Sequence, residues 1–251
     1  MGLAAVAVAF FALPLVGLLA RTPWTRLPAL LGGEVLLDAL RLSLVTSMAA
    51  TGLSLVLGLP LAWLLARAEI PGRRLVRGLV TLPLVLPPVV GGAALLFALG
   101  RRGLAGAPLE RLTGLVLPFS LWGAVLAATF VSMPFLVITV EGALRGLDGR
   151  HEEAARTLGA QPWTVLRRVT LPQIAPSLVS GLVLTWARAF GEFGATLTFA
   201  GNLQGRTRTL PLAVYVALES DRDTAVAISL VMVAISLGVL VLLRDRWWGA
   251  S

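Results

Sequence analysis

Six stretches of this sequence run without a charged side chain for roughly 20 positions each, the length a helix needs to cross a hydrocarbon core about 30 Å thick. They cover residues 2–20, 42–66, 79–100, 114–140, 169–187 and 224–243, the fifth reaching residue 190 if Arg188 lies at its end. Lipid offers no partner to a backbone amide or carbonyl, so such runs close their hydrogen bonds internally as helices. The ten-residue alternation of an outer-membrane barrel is absent. The expected fold is all-α: a polytopic membrane protein of about six transmembrane helices, in one domain over residues 1–251. A charged share of 14%, against roughly 25% in soluble domains, agrees with this. Ala20 is followed by Arg21 and Pro23, as at a processed leader. The run before them lacks a basic segment and is long for a leader's apolar core, so it is expected to be retained.

What the chain lacks is as informative. All 21 basic residues are Arg, there is no Lys or Cys, and His151 is the one histidine. A phosphate-binding loop needs a Lys to reach the nucleotide, so the chain cannot carry one and any ATP-hydrolysing activity must be borrowed from a partner. Without Cys and with one His, no thiolate site, disulfide or zinc pair is expected, and no catalytic or metal-ligating residue is assigned. A pI near 11.6 points to nucleic acid in a soluble chain. Here the excess charge sits in short loops between apolar spans, so anionic lipid headgroups are the expected partner and nucleic acid is not.

Six spans with both termini inside place eleven Arg in inner segments and ten in outer ones, so charge bias alone barely sets the orientation. Prolines recur within the spans. Pro87 and Pro88, with Gly91 and Gly92, suggest a kinked third span facing a pathway, although packing on small residues explains single prolines equally well.

The longest interruption, about residues 141–168, reads as two short helices. Asp148 is a suitable N-cap, Glu152 and Glu153 fall in the first turn, Glu152 and Arg156 are an i,i+4 pair, and Gly159 is a stop. Pro162 opens a second helix with Pro162, Leu166 and Val169 on one face, Trp163 beside them, and Arg167 and Arg168 opposite. The pattern fits a docking hairpin or a helix lying on headgroups.

The identities Glu153, Ala154, Ala155, Gly159, Val169, Thr170, Leu171 and Pro172, at their spacing, resemble the EAA loop of importer-type ABC transporter permeases, with Val169 where Ile is usual. The resemblance extends over about residues 42–241 and narrows at Leu82 to Val90, at Gly100 to Gly103, and above all at Gly191 to Asn202 with Gly205 to Pro211. These stretches look like molybdate/tungstate permeases. Sulfate permeases share Gly191, Glu192, Phe193 and Gly194 but fit Thr207 to Pro211 less well.

The resemblance implies a type I permease fold, a homodimer with the pathway at its interface, and a cytoplasmic ABC ATPase dimer docked on the two loops. It also implies an extracytoplasmic molybdate/tungstate-binding protein and a place in the inner (plasma) membrane with both termini cytoplasmic. Pathway or gate candidates are Pro87, Pro88, Gly191, Glu192, Gly194, Thr196 and Asn202. Glu192 is either a gate or packing element or a carboxylate paired with Arg188, and is not assigned to the substrate because like charges repel. Ser43, Thr46, Ser47, Thr129, Ser132, Ser180 and Thr185 either line a polar path or satisfy helix backbone. Arg206 and Arg208 fall in an outer loop. The alternatives are a sulfate or thiosulfate permease, an ATP-independent transporter and a membrane enzyme. The nearly charge-free spans count against the second, and the missing Cys and Lys and the lone His against the third.

Overall fold

The computed structural model describes residues 1–248, with side chains through residue 241; Arg244 and Arg246, counted above as inner charges, have side chains outside the described residues. Among the described residues every regular element is helical. In chain order these are α1 (Gly2–Ala20), α2 (Leu27–Leu31), α3 (Glu34–Arg67), α4 (Arg73–Val85), α5 (Pro88–Leu99), α6 (Gly106–Thr113) and α7 (Leu121–Gly146). Then come α8 (Arg150–Thr157), α9 (Pro162–Val165), a π-type turn (Leu166–Thr170), α10 (Leu171–Phe190), α11 (Gly194–Ala200), α12 (Leu210–Ser220) and α13 (Arg222–Trp248). The chain divides into two compact units, one of Met1–Ser43 with Asn202–Ser251 and one of Leu44–Gly201.

The second unit is built around α7. Ser120 starts this helix by accepting the Gly123 amide at 3.1 Å. Fourteen of its residues are buried, with Leu136, Val137, Val140 and Leu144 packed on Ala62 and Leu65 of α3 and Ile174 of α10. Close approach depends on glycine: a Cβ on Gly58 would lie 3.3 Å from Met133 and Val137, and one on Gly181 would lie 3.2 Å from Leu136. The last carbonyls of α3 are covered by arginines, Arg145 donating to Leu65 O at 3.2 Å and Arg73 donating to both Leu65 O and Ala66 O.

Two of the apolar runs are not single helices. The run at 79–100 is divided between α4 and α5 at two consecutive prolines: each disfavours helix in the residue before it and neither has an amide to donate, Leu86 is extended, and Pro88 then opens α5. The run at 114–140 is irregular up to Ser120. Gly114 ends α6 with φ +71°, and Phe119 takes φ +57° just before the cap. Among the described residues five helical stretches are long and apolar enough to cross a membrane, Gly2–Ala20, Glu34–Arg67, Leu121–Gly146, Pro162–Phe190 and Arg222–Val241. With 12 residues, α5 reaches only about 18 Å.

In the first unit α12 and α13 pack together, and Leu210, Leu212, Ala213, Ala217, Ala225 and Ile228 are buried. Ser43 accepts the Leu210 amide at 2.7 Å, and Arg26 is paired with Asp223 at 2.6 Å. No residue of α1 is buried, as expected of a helix whose solvent is lipid.

Candidate functional site

The hairpin between α7 and α10 is shorter than the sequence suggests, since α7 continues to Gly146 and the fifth long helix begins at Pro162. Asp148 does not occupy the cap position of α8, which falls to Gly149. Its carboxylate instead accepts the Arg150 amide at 3.1 Å from one residue further back. Gly159 ends the hairpin's first arm with φ +83°, a left-handed conformation that favours glycine. In the second arm Val165 and Thr170 are buried, Leu166 and Val169 are half-buried, and Pro162 is exposed, so the apolar face is rotated from the one expected.

The motif residues divide by environment. Glu153, Ala154, Gly159 and Pro172 are exposed, Ala155, Val169 and Leu171 are half-buried, and Leu171 packs against the α3–α7–α10 core. Around the outward residues, Leu158 is 88% and Trp163 67% exposed. Large apolar side chains left bare beside an acid and small residues form a surface suited to a protein partner.

The inward face carries what sequence reasoning missed. Glu152 is buried, and its Oε1 accepts from both Arg67 Nη2 (3.1 Å) and Thr170 Oγ1 (2.8 Å), while Oε2 lies 3.9 Å from Arg156. The expected pair with Arg156 is thus the longest of its contacts. A second buried acid, Glu141, is paired with Arg77 of α4 and with Arg145 at 2.8 Å. The one signal available in the sequence was that adjacent helical residues point about 100° apart, so two neighbouring acids need not share one environment.

Away from the hairpin, the structure brings most of the pathway candidates of the second unit together. A Cβ on Gly194 would lie 3.0 Å from Pro88, and one on Gly92 would lie 2.7 Å from Ala195 O and 2.8 Å from Thr198 Cβ, so α11 lies directly on α5 just beyond the proline break. Pro87 and Gly191 are exposed and Thr196 is buried. Glu192 is 2% exposed, paired with Arg188 at 2.5 Å, and accepts the Ala195 amide at 2.7 Å. Two short helices with a buried polar group between long apolar ones are tolerated at membrane depth where backbone is buried in protein or lines a water-filled path. Asn202 belongs to the other unit, where it accepts from Arg208 Nε at 2.8 Å.

The hydroxyls divide too. Thr129, Ser180 and Thr185 donate to helix carbonyls four residues back, and Ser47 to one three back. Thr46 and Ser132 are buried without a hydrogen-bond partner among the described residues.

A scaffold of long apolar helices carrying an exposed hairpin and a glycine-packed break defines a polytopic membrane protein. The chain belongs to the family of binding-protein-dependent transport system inner membrane components, whose model matches residues 35–248 and so leaves α1 outside. It is 52% identical over 214 residues to the molybdenum transport system permease protein ModB of Mycobacterium tuberculosis, covering 85% of this chain and 81% of that one. It is 41% identical over 184 residues to the sulfate transport system permease protein CysW of Synechococcus elongatus, covering 73% and 64%. Its fold is that of a chain in the crystal structure of a bacterial ABC transporter that imports alginate, with TM-score 0.74 and 19% identity over 98% of this chain and 92% of that one.

Proposed function

We propose that this chain is the permease subunit of an ATP-driven importer that moves molybdate or tungstate across the inner membrane. The hairpin carries the ATP-coupled part of this reading, because Glu153, Ala154, Gly159 and Pro172 of its motif are exposed beside bare Leu158 and Trp163, while Glu152 ties it into the helix bundle. The substrate follows from the likeness to the molybdenum permease, which is more identical and more extensive than that to the sulfate permease. The latter sustains sulfate or thiosulfate as a second reading.

In this account Glu153, Ala154, Ala155, Gly159, Val169, Leu171 and Pro172 form the element that meets the ATPase, which binds ATP and Mg. Two copies of the chain enclose the pathway, and a binding protein delivers the oxyanion on the outer side. The hairpin end faces the cytoplasm, consistent with Arg67, Arg73, Arg77 and Arg145 clustered there. With α4 and α5 together making one crossing, the chain crosses six times and both termini are cytoplasmic. Pro87, Pro88, Gly191, Glu192, Gly194, Thr196 and Asn202 are the pathway or gate candidates. ATP binding and hydrolysis shift the permease between outward- and inward-open states through the ATPase's different affinity for each.

The test is ATP-dependent uptake of labelled molybdate into proteoliposomes holding the chain with its ATPase and binding protein, competed by tungstate and sulfate. Uptake blocked by tungstate, indifferent to sulfate and lost in Glu153→Lys and Gly159→Pro supports the reading. Competition by sulfate moves the substrate, and uptake without ATP overturns the mechanism.

A further inference from the structure

We propose that Glu152 is a positioning residue that locks the docking hairpin to the end of α3, so that hairpin and helix move as one body. The inference rests on the transport reading above but concerns the acid next to the motif acid, turned toward the helix bundle. Glu153 is exposed, whereas the Glu152 side chain is only 7% exposed.

A carboxylate is costly to bury unless its oxygens are satisfied. Those of Glu152 are engaged by groups from α3 (Arg67), from its own helix (Arg156) and from the π-type turn that leads into α10 (Thr170). Two of these partners are 85 and 18 residues away in the chain, so the bonds join elements rather than finish one. Thr170 is fully buried and sits at the end of the π-type turn, an irregularity frequent at functional positions.

On the α3 side the anchor is itself held. The Arg67 guanidinium lies 6.0 Å from the Trp63 ring, and the carbonyl of Leu65 is bonded by Arg73 and Arg145. Arg145 in turn pairs with Glu141, which holds Arg77 of α4. Pulling the hairpin from α3 would strip Arg67 from a buried acid and leave it only the Thr170 hydroxyl and the 3.9 Å contact to Arg156, so the junction transmits displacement instead of absorbing it. Force applied to the exposed motif face therefore reaches α3 and α10 together.

The experiment uses the complete transporter in proteoliposomes, measuring ATP hydrolysis and molybdate uptake separately; uptake by the unaltered complex tests the transport reading by itself. Glu152→Ala is expected to keep the ATPase bound and its hydrolysis near the unaltered rate, while uptake per ATP falls by about tenfold. The chain has no natural cysteine, so Arg67→Cys with Glu152→Cys can be joined cleanly by a short bifunctional thiol reagent. Joining is expected to restore most of the uptake lost in the untreated pair. An unchanged uptake per ATP in Glu152→Ala overturns the proposal. So does a joined pair that transports no better than the untreated one, an outcome that decides the matter even where Glu152→Ala fails to assemble.

Discussion

Two buried glutamates, each held by an arginine, are used in opposite ways. Glu192 bonds to Arg188 four residues before it and to the Ala195 amide three residues after it, so its work is local: it completes the corner from α10 into α11. Glu152 bonds across 85 and 18 residues, and its work is to hold separate elements together. Around Glu192 the tight packing comes from backbone, with Gly92 and Gly194 pressed between α5 and α11. Around Glu152 it comes from long side chains, and Gly142, Gly146 and Gly149 have open space beside them. The pathway candidates are thus set by steric fit and the hairpin by charge. The two regions should fail in different ways.

The largest effect is expected at the steric site. Gly92→Val places atoms against the Ala195 carbonyl and Thr198, neither of which can retreat. We expect a loss of 3 kcal/mol or roughly that much, seen as aggregation or early melting in detergent, while Gly149→Ala leaves melting unchanged. Equal tolerance at the two positions would erase the contrast.

Next, Glu192→Ala strands Arg188, whose side chain is 29% exposed, and should cost about 2 kcal/mol, with Arg188→Ala recovering part of it in the double variant. Glu192→Gln, which can still accept the Ala195 amide, should be milder. If adding Arg188→Ala recovers nothing, Glu192 answers to something other than its local pair.

Third, Leu158→Ala and Trp163→Ala should leave melting unchanged yet weaken ATPase binding, by about tenfold for the tryptophan, as measured by titration of the ATPase onto immobilised permease. A fall in stability would mean that these side chains serve the fold.

The smallest effect concerns Asp221, exposed between α12 and α13. The Thr224 hydroxyl, then the Thr224 and Asp223 amides and the Arg26 charge, hold its carboxyl below the ordinary aspartate value. A depressed folded value means that its contribution is complete above the ordinary aspartate pKa and is lost as the pH falls through the folded one. The melting difference between the native chain and Asp221→Asn should be small at neutral pH and vanish in acid.

Legibility in the sequence followed the range of the interactions. The long runs at 2–20 and 224–243 needed only composition and length, and both are helical through their described residues. The run at 79–100 was expected as one kinked span, yet Leu86 leaves the helix entirely. The helices α11 and α12 were not anticipated, because 7 and 11 residues fall below the length at which a membrane signal separates from background. Glu192 and Arg188 could be paired in advance because their spacing is one helical turn.

The sequence by itself determined that the chain is an all-helical membrane protein without the Lys of a phosphate-binding loop, and where the hairpin with its motif lies, since apolar length, missing residue types and turn chemistry are local properties. Only the tertiary structure decided which of two adjacent acids faces inward, and that α11 rests on α5 at Gly92. Arg67, Glu152 and Thr170 come together because packing α3, α7 and α10 closes the distance between them, and nothing in their spacing along the chain encodes that closure.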